Sequence, residues 1–278
     1  MRIIRVFPRR TSFTPKDDYA FVGEPPLFLP DWRDIKAVHI SVTFTWDMAE
    51  GKRLVGAWSN YHPEVYIGGP AFNDLGDSFL PGQYVKPGIT FTSRGCNNQC
   101  PWCLVPEREG RLKEMDFWSG NIIQDNNLLQ CSRRHLNRVF EMLKGEHGIQ
   151  FSGGLDARLV TERIADNLRN LRVNQLFLSC DTKEAIKPLK QAIAKLTGFP
   201  YSKLRCYVLL AFGNETISQA TERLEEVWQA GCMPFAQLYQ PPDRYIRYSK
   251  EWRDLARIWS RPAAMKSLHK EFEKCQGN

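Results

Sequence analysis

The chain has 278 residues, 42% of them hydrophobic and 25% charged, with a formal net charge of +7 at pH 7. This length is typical of one large domain or of one domain with a small appendage, and the hydrophobic fraction excludes a disordered chain. The first ten residues lack the apolar run of a secretory signal, and no run approaches the ~20 residues that span a bilayer. We therefore expect a protein of the cytoplasm that does not enter a membrane.

The basic excess gives a pI of about 9.0 and favours an anionic partner such as a nucleotide or nucleic acid. The basic residues are scattered, however, and many soluble proteins are mildly basic without binding an anion. Eight cysteines in a chain without a secretion signal indicate metal binding or catalysis rather than disulfides.

Residues 1–34 contain five prolines, Pro8, Pro15, Pro25, Pro26 and Pro30, and are expected to form an irregular arm, since proline interrupts helices. The residues that follow predict a strand at 37–44, a helix at 46–60 and a strand at 64–70. Together they form a strand–helix–strand unit with a right-handed crossover.

From residue 88 onward strands and helices alternate, which is the pattern of a parallel sheet with crossover helices. Strands are predicted at 88–92, 121–125, 148–151, 175–179, 204–211 and 233–239. Helices are predicted at 133–143, 161–171, 183–196 and 217–230, with a helical tail after them. The expected organisation is an arm and small α/β unit at 1–87, a main α/β region at 88–248 and the tail at 249–278.

The first strand of the main region leads into three cysteines, Cys96, Cys100 and Cys103, at Cys-x-x-x-Cys-x-x-Cys spacing. Three thiolates can bind three irons of a [4Fe–4S] cluster and leave the fourth iron open to a small molecule. Thiolates also bind zinc or copper(I), but a structural zinc site is normally closed by four ligands. The nearest candidates for a fourth ligand, Cys131 and His135, lie in a later predicted helix.

This loop, with Trp102 just before its third cysteine, resembles the cluster loop of the radical S-adenosylmethionine (radical SAM) superfamily. The run from Thr92 to Pro106, followed by Gly110 and Arg111, is similar to the loops of its methylthiotransferase and cobalamin-domain-containing branches. The resemblance implies a partial (β/α)6 TIM-like barrel, SAM bound to the open iron, and a one-electron reductant such as flavodoxin or ferredoxin. It also implies that a 5′-deoxyadenosyl radical abstracts hydrogen from a substrate.

Other features distinguish the branches. Methylthiotransferases have three more cluster cysteines ahead of the loop, and none precedes Cys96 here, so methylthiolation is disfavoured. The N-terminal unit resembles a trimmed cobalamin-binding domain but lacks the Asp-x-His-x-x-Gly loop that ligates cobalt, so cobalamin is not expected. The substrate remains open among a nucleic-acid base, a peptide and a small metabolite, with the basic charge favouring a nucleotide or nucleic acid. The alternative from another class is a non-catalytic zinc module that binds nucleic acid.

Each predicted strand ends in small or polar residues, and the carboxyl ends of parallel strands meet at one edge. A SAM pocket needs hydrogen-bonding groups, a partner for the carboxylate and glycines that let the backbone approach. By position and by resemblance we expect cofactor contacts from Trp102, Asn126, Gly153, Gly154, Asp156, Arg158, Ser179, Asp181 and Gly213. Asp125 is expected at the same edge, where Asp125-Asn126-Asn127 replaces the Gly-Gly-Glu-type motif usual in the superfamily. No catalytic residue for the substrate step is assigned.

Overall fold

The computed structural model describes residues 2–28, 34–74 and 79–276, with side chains described as far as residue 269. The fold is α/β, with two sheets of parallel strands. The chain divides into two compact units, residues 1–89 with 242–245 and residues 90–241 with 246–278. Within the described ranges, no helix is both long and apolar enough to cross a bilayer. Pro30, in the predicted arm, lies outside the described residues.

The first unit is built on a four-stranded parallel sheet in the order β2-β1-β3-β4. Its strands are β1 (Arg2–Phe7), β2 (Ala20–Val22), β3 (Ile35–Ser41) and β4 (Val65–Gly68). Helix α1 (Met48–Ser59) connects β3 to β4 and buries Leu54 and Trp58 in the core of this unit. The strand–helix–strand prediction is thus confirmed, with element ends shifted by one to three residues.

The prediction that residues 1–34 are irregular is wrong, because this segment contributes β1 and β2. Ile4 and Val6 are fully buried. Arg5 alternates with them, and its guanidinium donates to the carbonyls of Gly82 and Gln83 at 3.2 and 3.0 Å. Proline excludes a helix but does not prevent a strand that ends before it, and the first seven residues are rich in β-branched side chains.

The second unit is centred on a six-stranded parallel sheet whose strands neighbour one another in chain order. The strands are β5 (Ile89–Thr90), β6 (Ser93–Arg94), β7 (Lys113–Glu114), β8 (Ile122–Ile123), β9 (Ile149–Leu155), β10 (Val173–Ser179), β11 (Leu204–Leu210) and β12 (Met233–Leu238). β6 and β7 form a separate antiparallel pair, and the other six form the sheet. All six predicted strands are present, although β5 and β8 are shorter and β9 and β10 longer than predicted.

The helices of this unit are α2 (Val105–Arg108), α3 (Arg133–Lys144), α4 (Glu162–Arg169), α5 (Ile186–Lys195) and α6 (Ile217–Gln229), with α7 (Lys250–Ser260) and α8 (Pro262–Gln276) after β12. Helices α3 to α6 connect consecutive strands of this sheet and contribute buried side chains to its core, whereas the short α2 connects β6 to β7. Thr161 caps α4 as predicted, its hydroxyl accepting from Ile164 N at 3.3 Å, and Pro188 lies in the first turn of α5. Trp259 and Met265 of the tail helices are buried in the core of this unit.

Candidate metal and cofactor site

The three cysteines of the predicted cluster loop lie between β6 and α2. Cys96 N donates to Gly110 O at 3.1 Å, and Cys103 N donates to Cys100 O at 3.0 Å. Cys96 and Cys100 are partly buried, Cys103 is exposed, and all three are free thiols. The backbone therefore closes the loop by itself and leaves the three sulfurs available as ligands.

The three thiols are electrostatic neighbours. Burial raises the pKa of Cys100, and the neighbouring sulfurs of Cys103 and Cys96 raise it further. Although Cys103 is exposed as a whole residue, partial desolvation of its sulfur raises its pKa, against the effect of the Val105 N–H, which bonds to that sulfur. Ligation of a metal by these sulfurs therefore requires the loss of their protons.

A network of amides holds the Cys96 sulfur. Asn98 N and Asn127 Nδ2 donate to Cys96 Sγ at 3.4 and 3.7 Å. Gln130 Oε1 accepts from Asn97 N at 2.8 Å, and Gln130 Nε2 donates to Asn98 Oδ1 at 3.0 Å. Hydrogen bonds to the sulfurs are one of the means by which proteins tune thiolate-ligated clusters.

Asp156, predicted at the rim, links this network to the end of β9. Its Oδ2 accepts from Asn98 Nδ2 at 3.1 Å and from Asn127 Nδ2 at 3.4 Å. Arg158 pairs with it through Nε to Oδ1 at 2.9 Å and Nη2 to Oδ2 at 2.6 Å. Burial opposes the Asp156 charge, but the bonds from Arg158 and Asn98 outweigh it and hold the pKa of Asp156 below its usual range. Arg158, expected to bind a cofactor carboxylate, is thus already paired within the chain.

Replacing Arg158 with glutamine should lower the free energy of unfolding at pH 7 by about 1 kcal/mol. The effect is small because the guanidinium is exposed and solvent screens its charge. Because folding depresses the pKa of Asp156, this stabilisation is present above the unfolded pKa of about 4 and is lost as the pH falls through the folded value. Urea unfolding over a pH series measures it, with Lys183→Gln, which breaks the exposed pair with Glu222, as control. If the difference in unfolding free energy between wild type and Arg158→Gln stayed constant below pH ~4, the role assigned to Asp156 would be contradicted.

Asn126 holds the start of the cysteine loop. Its Nδ2 donates to Glu109 Oε2 at 2.6 Å, and the same oxygen accepts from Gly95 N at 3.2 Å. Arg94 Nη1 lies 3.4 Å from the other Glu109 oxygen. Asn126, predicted as a cofactor contact, therefore lies beside the loop, and its amide is bonded to a carboxylate of the chain itself.

The ends of β10 and β11 supply the other predicted residues. Asp181 accepts from Leu209 N at 3.0 Å, and burial raises its pKa. Its charge in turn contributes to the raised pKa of Cys100, after burial and the two neighbouring sulfurs. Ser179 is the last residue of β10, and a Cβ added to Gly213 would meet no described atom within 4 Å.

Trp102 joins the cysteine loop to the far strands of the sheet. Its ring packs edge-to-face on Phe212, after β11, with centroids 5.4 Å apart. Phe212 packs in the same way on Tyr239, after β12, at 5.0 Å. Trp102 thus contributes to an apolar wall beside the loop.

Gly153 and Gly154 lie within β9 rather than beyond it. A Cβ on Gly153 would lie 1.9 Å from the carbonyl oxygen of Asp125, so glycine lets the chain after β8 approach β9. A Cβ on Gly154 would lie 3.6 Å from the ring of Tyr207. The presence of Gly153 is therefore explained by packing between strands, independently of any cofactor.

The expectation that Asp125 lies at the rim is wrong. Its side chain is 1% exposed and accepts from Thr92 N at 2.7 Å, Thr92 Oγ1 at 2.6 Å and Ser93 Oγ at 2.7 Å. The carboxylate turns inward because these donors would otherwise be buried without partners. Asp125 therefore anchors the strand that leads into the cysteine loop.

The two candidates for a fourth ligand are engaged elsewhere. His135 is buried, with Nε2 3.1 Å from Thr92 Oγ1 and Nδ1 3.8 Å from Glu114 Oε2. Burial raises the pKa of Cys131 to about 11, which favours its neutral thiol. In the described part of the chain, no three His, Cys, Asp or Glu side chains are placed to hold one metal ion. A single zinc needs all of its ligands within ~2.3 Å of one ion, and this arrangement is not found among the described residues. The cysteines of a cluster each bind a different iron and therefore need not converge on one point.

Sequence reasoning missed several residues of the site, above all Gln130, Glu109 and Phe212. Gln130 lies in a short 3-10 helix and Phe212 in a loop, so neither belongs to a periodic pattern. Glu109 follows Cys103 by six residues, and this closeness in sequence was the available signal.

The site as a whole gathers groups that follow five consecutive strands of the sheet. Asn127 follows β8, Asp156 follows β9, Asp181 follows β10, Phe212 follows β11 and Tyr239 follows β12. Each of them bonds to, packs beside or acts electrostatically on the cysteine loop or on a residue that touches it. No family model matches this chain, and no curated protein matches its sequence.

Proposed function

We propose that the chain is a radical SAM enzyme with a [4Fe–4S] cluster held by Cys96, Cys100 and Cys103. The main support is the position of the cysteine loop, which bonds to Asp156 after β9 and packs on Phe212 after β11. Ligands of parallel α/β sheets bind at the carboxyl ends of the strands. Three free thiols in one loop at this edge are therefore placed where a small molecule would bind.

The donor set suits such a cluster. Thiolates are the usual ligands of iron–sulfur clusters, and three of them leave one iron for a small molecule. Backbone and amide N–H groups already point at the sulfurs of Cys96 and Cys103. The buried Oδ1 of Asn127 has no hydrogen-bond partner in the described part of the chain, so a bound N–H or O–H group would satisfy it.

When bound by Cys96, Cys100 and Cys103, the cluster would supply the electron for the reductive cleavage of SAM that starts hydrogen abstraction from the substrate. The residues of the chain hold the reactants and exclude water. Trp102 and Phe212 provide an apolar wall, and the open space beside Gly213 would admit the adenine. Ser179 and Asp181 offer hydrogen-bonding groups after β10.

We propose further that the six-stranded sheet is the partial (β/α)6 barrel of this superfamily. Its support is the strand order, which follows the chain from β5 to β12 with helices between most neighbouring strands. An external one-electron donor of the flavodoxin or ferredoxin class would reduce the cluster in the cytoplasm. The net charge of +7 supports a nucleotide or nucleic-acid base as the substrate.

Anaerobic purification tests this proposal. We expect a brown protein with about four irons and four sulfides per chain, and Cys100→Ala should lose both together with the colour. Cys131→Ala, which removes a buried thiol outside the loop, is the matched control and should keep them. A colourless, zinc-loaded protein would overturn the proposal in favour of the zinc module.

The use of SAM is tested separately. The reduced, iron-loaded protein given SAM alone should release some 5′-deoxyadenosine, measured by mass spectrometry. Absence of this product from an iron-loaded, reduced sample would contradict hydrogen abstraction.

A further inference from the structure

The first unit presents exposed aromatic rings beyond β3, at the carboxyl edge of its own sheet. The rings of Phe44 and Trp46 stack with centroids 4.7 Å apart and an interplanar angle of 8°. The Tyr245 ring lies 6.2 Å from that of Trp46, tilted by 60°. Trp46 is 37% exposed and Tyr245 61% exposed. We call these three residues the aromatic platform.

The aromatic platform is held rigidly. Trp46 lies within a short 3-10 helix, Thr45–Asp47, that follows β3, and Phe44 is the N-cap of that helix. The carboxylate of Asp47 is buried and forms an ion pair with Arg9, which follows β1. The turn after β3 is thus tied to the segment after the neighbouring strand, so Phe44 and Trp46 are anchored before any ligand arrives, which reduces the entropic cost of binding.

The platform lies where this sheet topology favours a ligand. In the order β2-β1-β3-β4, the chain leaves β1 toward one side of the sheet and leaves β3 toward the other. The carboxyl ends of β1 and β3 therefore flank a switch point, the position at which open parallel sheets bind ligands. Arg9 and Arg10 follow β1 there, and Phe44 and Trp46 follow β3.

Two exposed arginines neighbour the platform in sequence and are available to an anion. Arg10 and Arg244 are exposed, and neither makes a hydrogen bond or ion pair with another described residue. Arg10 is adjacent in sequence to the Arg9 that pairs with Asp47, and Arg244 is adjacent to Tyr245. Aromatic faces beside free guanidinium groups are the chemistry that binds single-stranded nucleic acid, through base stacking and phosphate contacts.

We propose that the aromatic platform binds single-stranded nucleic acid, with successive bases stacked on Trp46 and Tyr245 and phosphates paired with Arg10 and Arg244. An exposed surface with two neighbouring rings suits a strand better than a mononucleotide, which would be enclosed in a pocket. The proposal goes beyond the cluster chemistry, because none of these residues belongs to the cysteine loop or its rim.

Fluorescence anisotropy of the full-length protein with a labelled single strand of about twelve mixed-sequence nucleotides tests the proposal. Trp46→Ala should weaken binding about tenfold, the effect of losing one stacked base, whereas Trp46→Phe, which keeps a ring, should stay within about twofold. Arg10→Gln should reduce the slope of log Kd against log salt by about 1. Parallel RNA and DNA strands of one sequence identify which nucleic acid is preferred.

The matched control is Trp118→Ala, which removes a tryptophan that is 59% exposed in the second unit and should leave binding unchanged. Equal binding by wild type and Trp46→Ala, or binding of a duplex or mononucleotide as tight as that of the strand, would overturn the proposal. The metal-free protein should bind as tightly as the iron-loaded one. Nucleic-acid binding would therefore persist even if the cluster proposal failed. Conversely, iron loading by wild type and by Trp46→Ala would show that the cluster proposal holds even if the strand did not bind.

Discussion

Gly153→Ala should lower the melting temperature by about 10 °C, corresponding to a loss of roughly 3 kcal/mol. The added Cβ would lie 1.9 Å from Asp125 O and 2.9 Å from Asp125 C, and backbone atoms cannot rotate out of its way. The chain after β8 would have to move away from β9, to which β8 is paired at Ile123 and Phe151. Differential scanning calorimetry measures the shift.

The matched control is Gly145→Ala, at the C-cap of α3. Its backbone is helical, with φ −76°, and the new Cβ would meet Met142 O at an ordinary 3.5 Å. This variant should change the melting temperature by no more than about 2 °C. Equal shifts for the two alanines would show that close approach to Asp125 is not the reason for glycine at 153.

The strands of the second unit were predictable because their signal is local. Hydrophobic runs of strand length alternate with amphipathic helices, and right-handed crossovers then place consecutive strands side by side. The first unit was harder to predict, because the prolines before and after β2 dominated the interpretation. β1 is nevertheless stabilised by tertiary pairing with β3, which joins residues more than thirty positions apart.

The convergence of polar residues at one edge was also predictable, since parallel strands end together. The direction of each side chain was not. Asp125, Asn126 and Asn127 are alike in sequence, yet Asp125 turns inward to Thr92, Asn126 bonds to Glu109, and Asn127 reaches the Cys96 sulfur. The difference arises where the chain leaves β8 and turns, at Asn127 with φ −158° and ψ 76°, and no propensity specifies such a path.

Asp125→Ala should destabilise the protein by about 4 kcal/mol, since three buried donors would lose their acceptor. The donors are Thr92 N, Thr92 Oγ1 and Ser93 Oγ, and all of these residues are fully buried, where water cannot replace the carboxylate. Urea unfolding measures the loss. We also expect a lower iron content, because Ser93 and the residues after Asp125 position the two sides of the cysteine loop.

Asp125→Asn is the conservative control and should cost about 1–2 kcal/mol, because its oxygen still accepts from Thr92 N and hydroxyls can turn to accept from its amide.

Burial raises the pKa of Asp125, although bonds from Thr92 and Ser93 oppose this effect. A raised carboxyl pKa means that the folded state retains its proton longer, so wild-type stability falls as the pH rises from about 4 through the folded pKa. Asparagine cannot ionise, so the difference in free energy of unfolding between wild type and Asp125→Asn should narrow as the pH rises. The Arg158–Asp156 pair behaves in the opposite way, because its stabilisation is lost as the pH falls. A gap that widens with pH would instead mean that the three donors hold Asp125 as a stabilised anion.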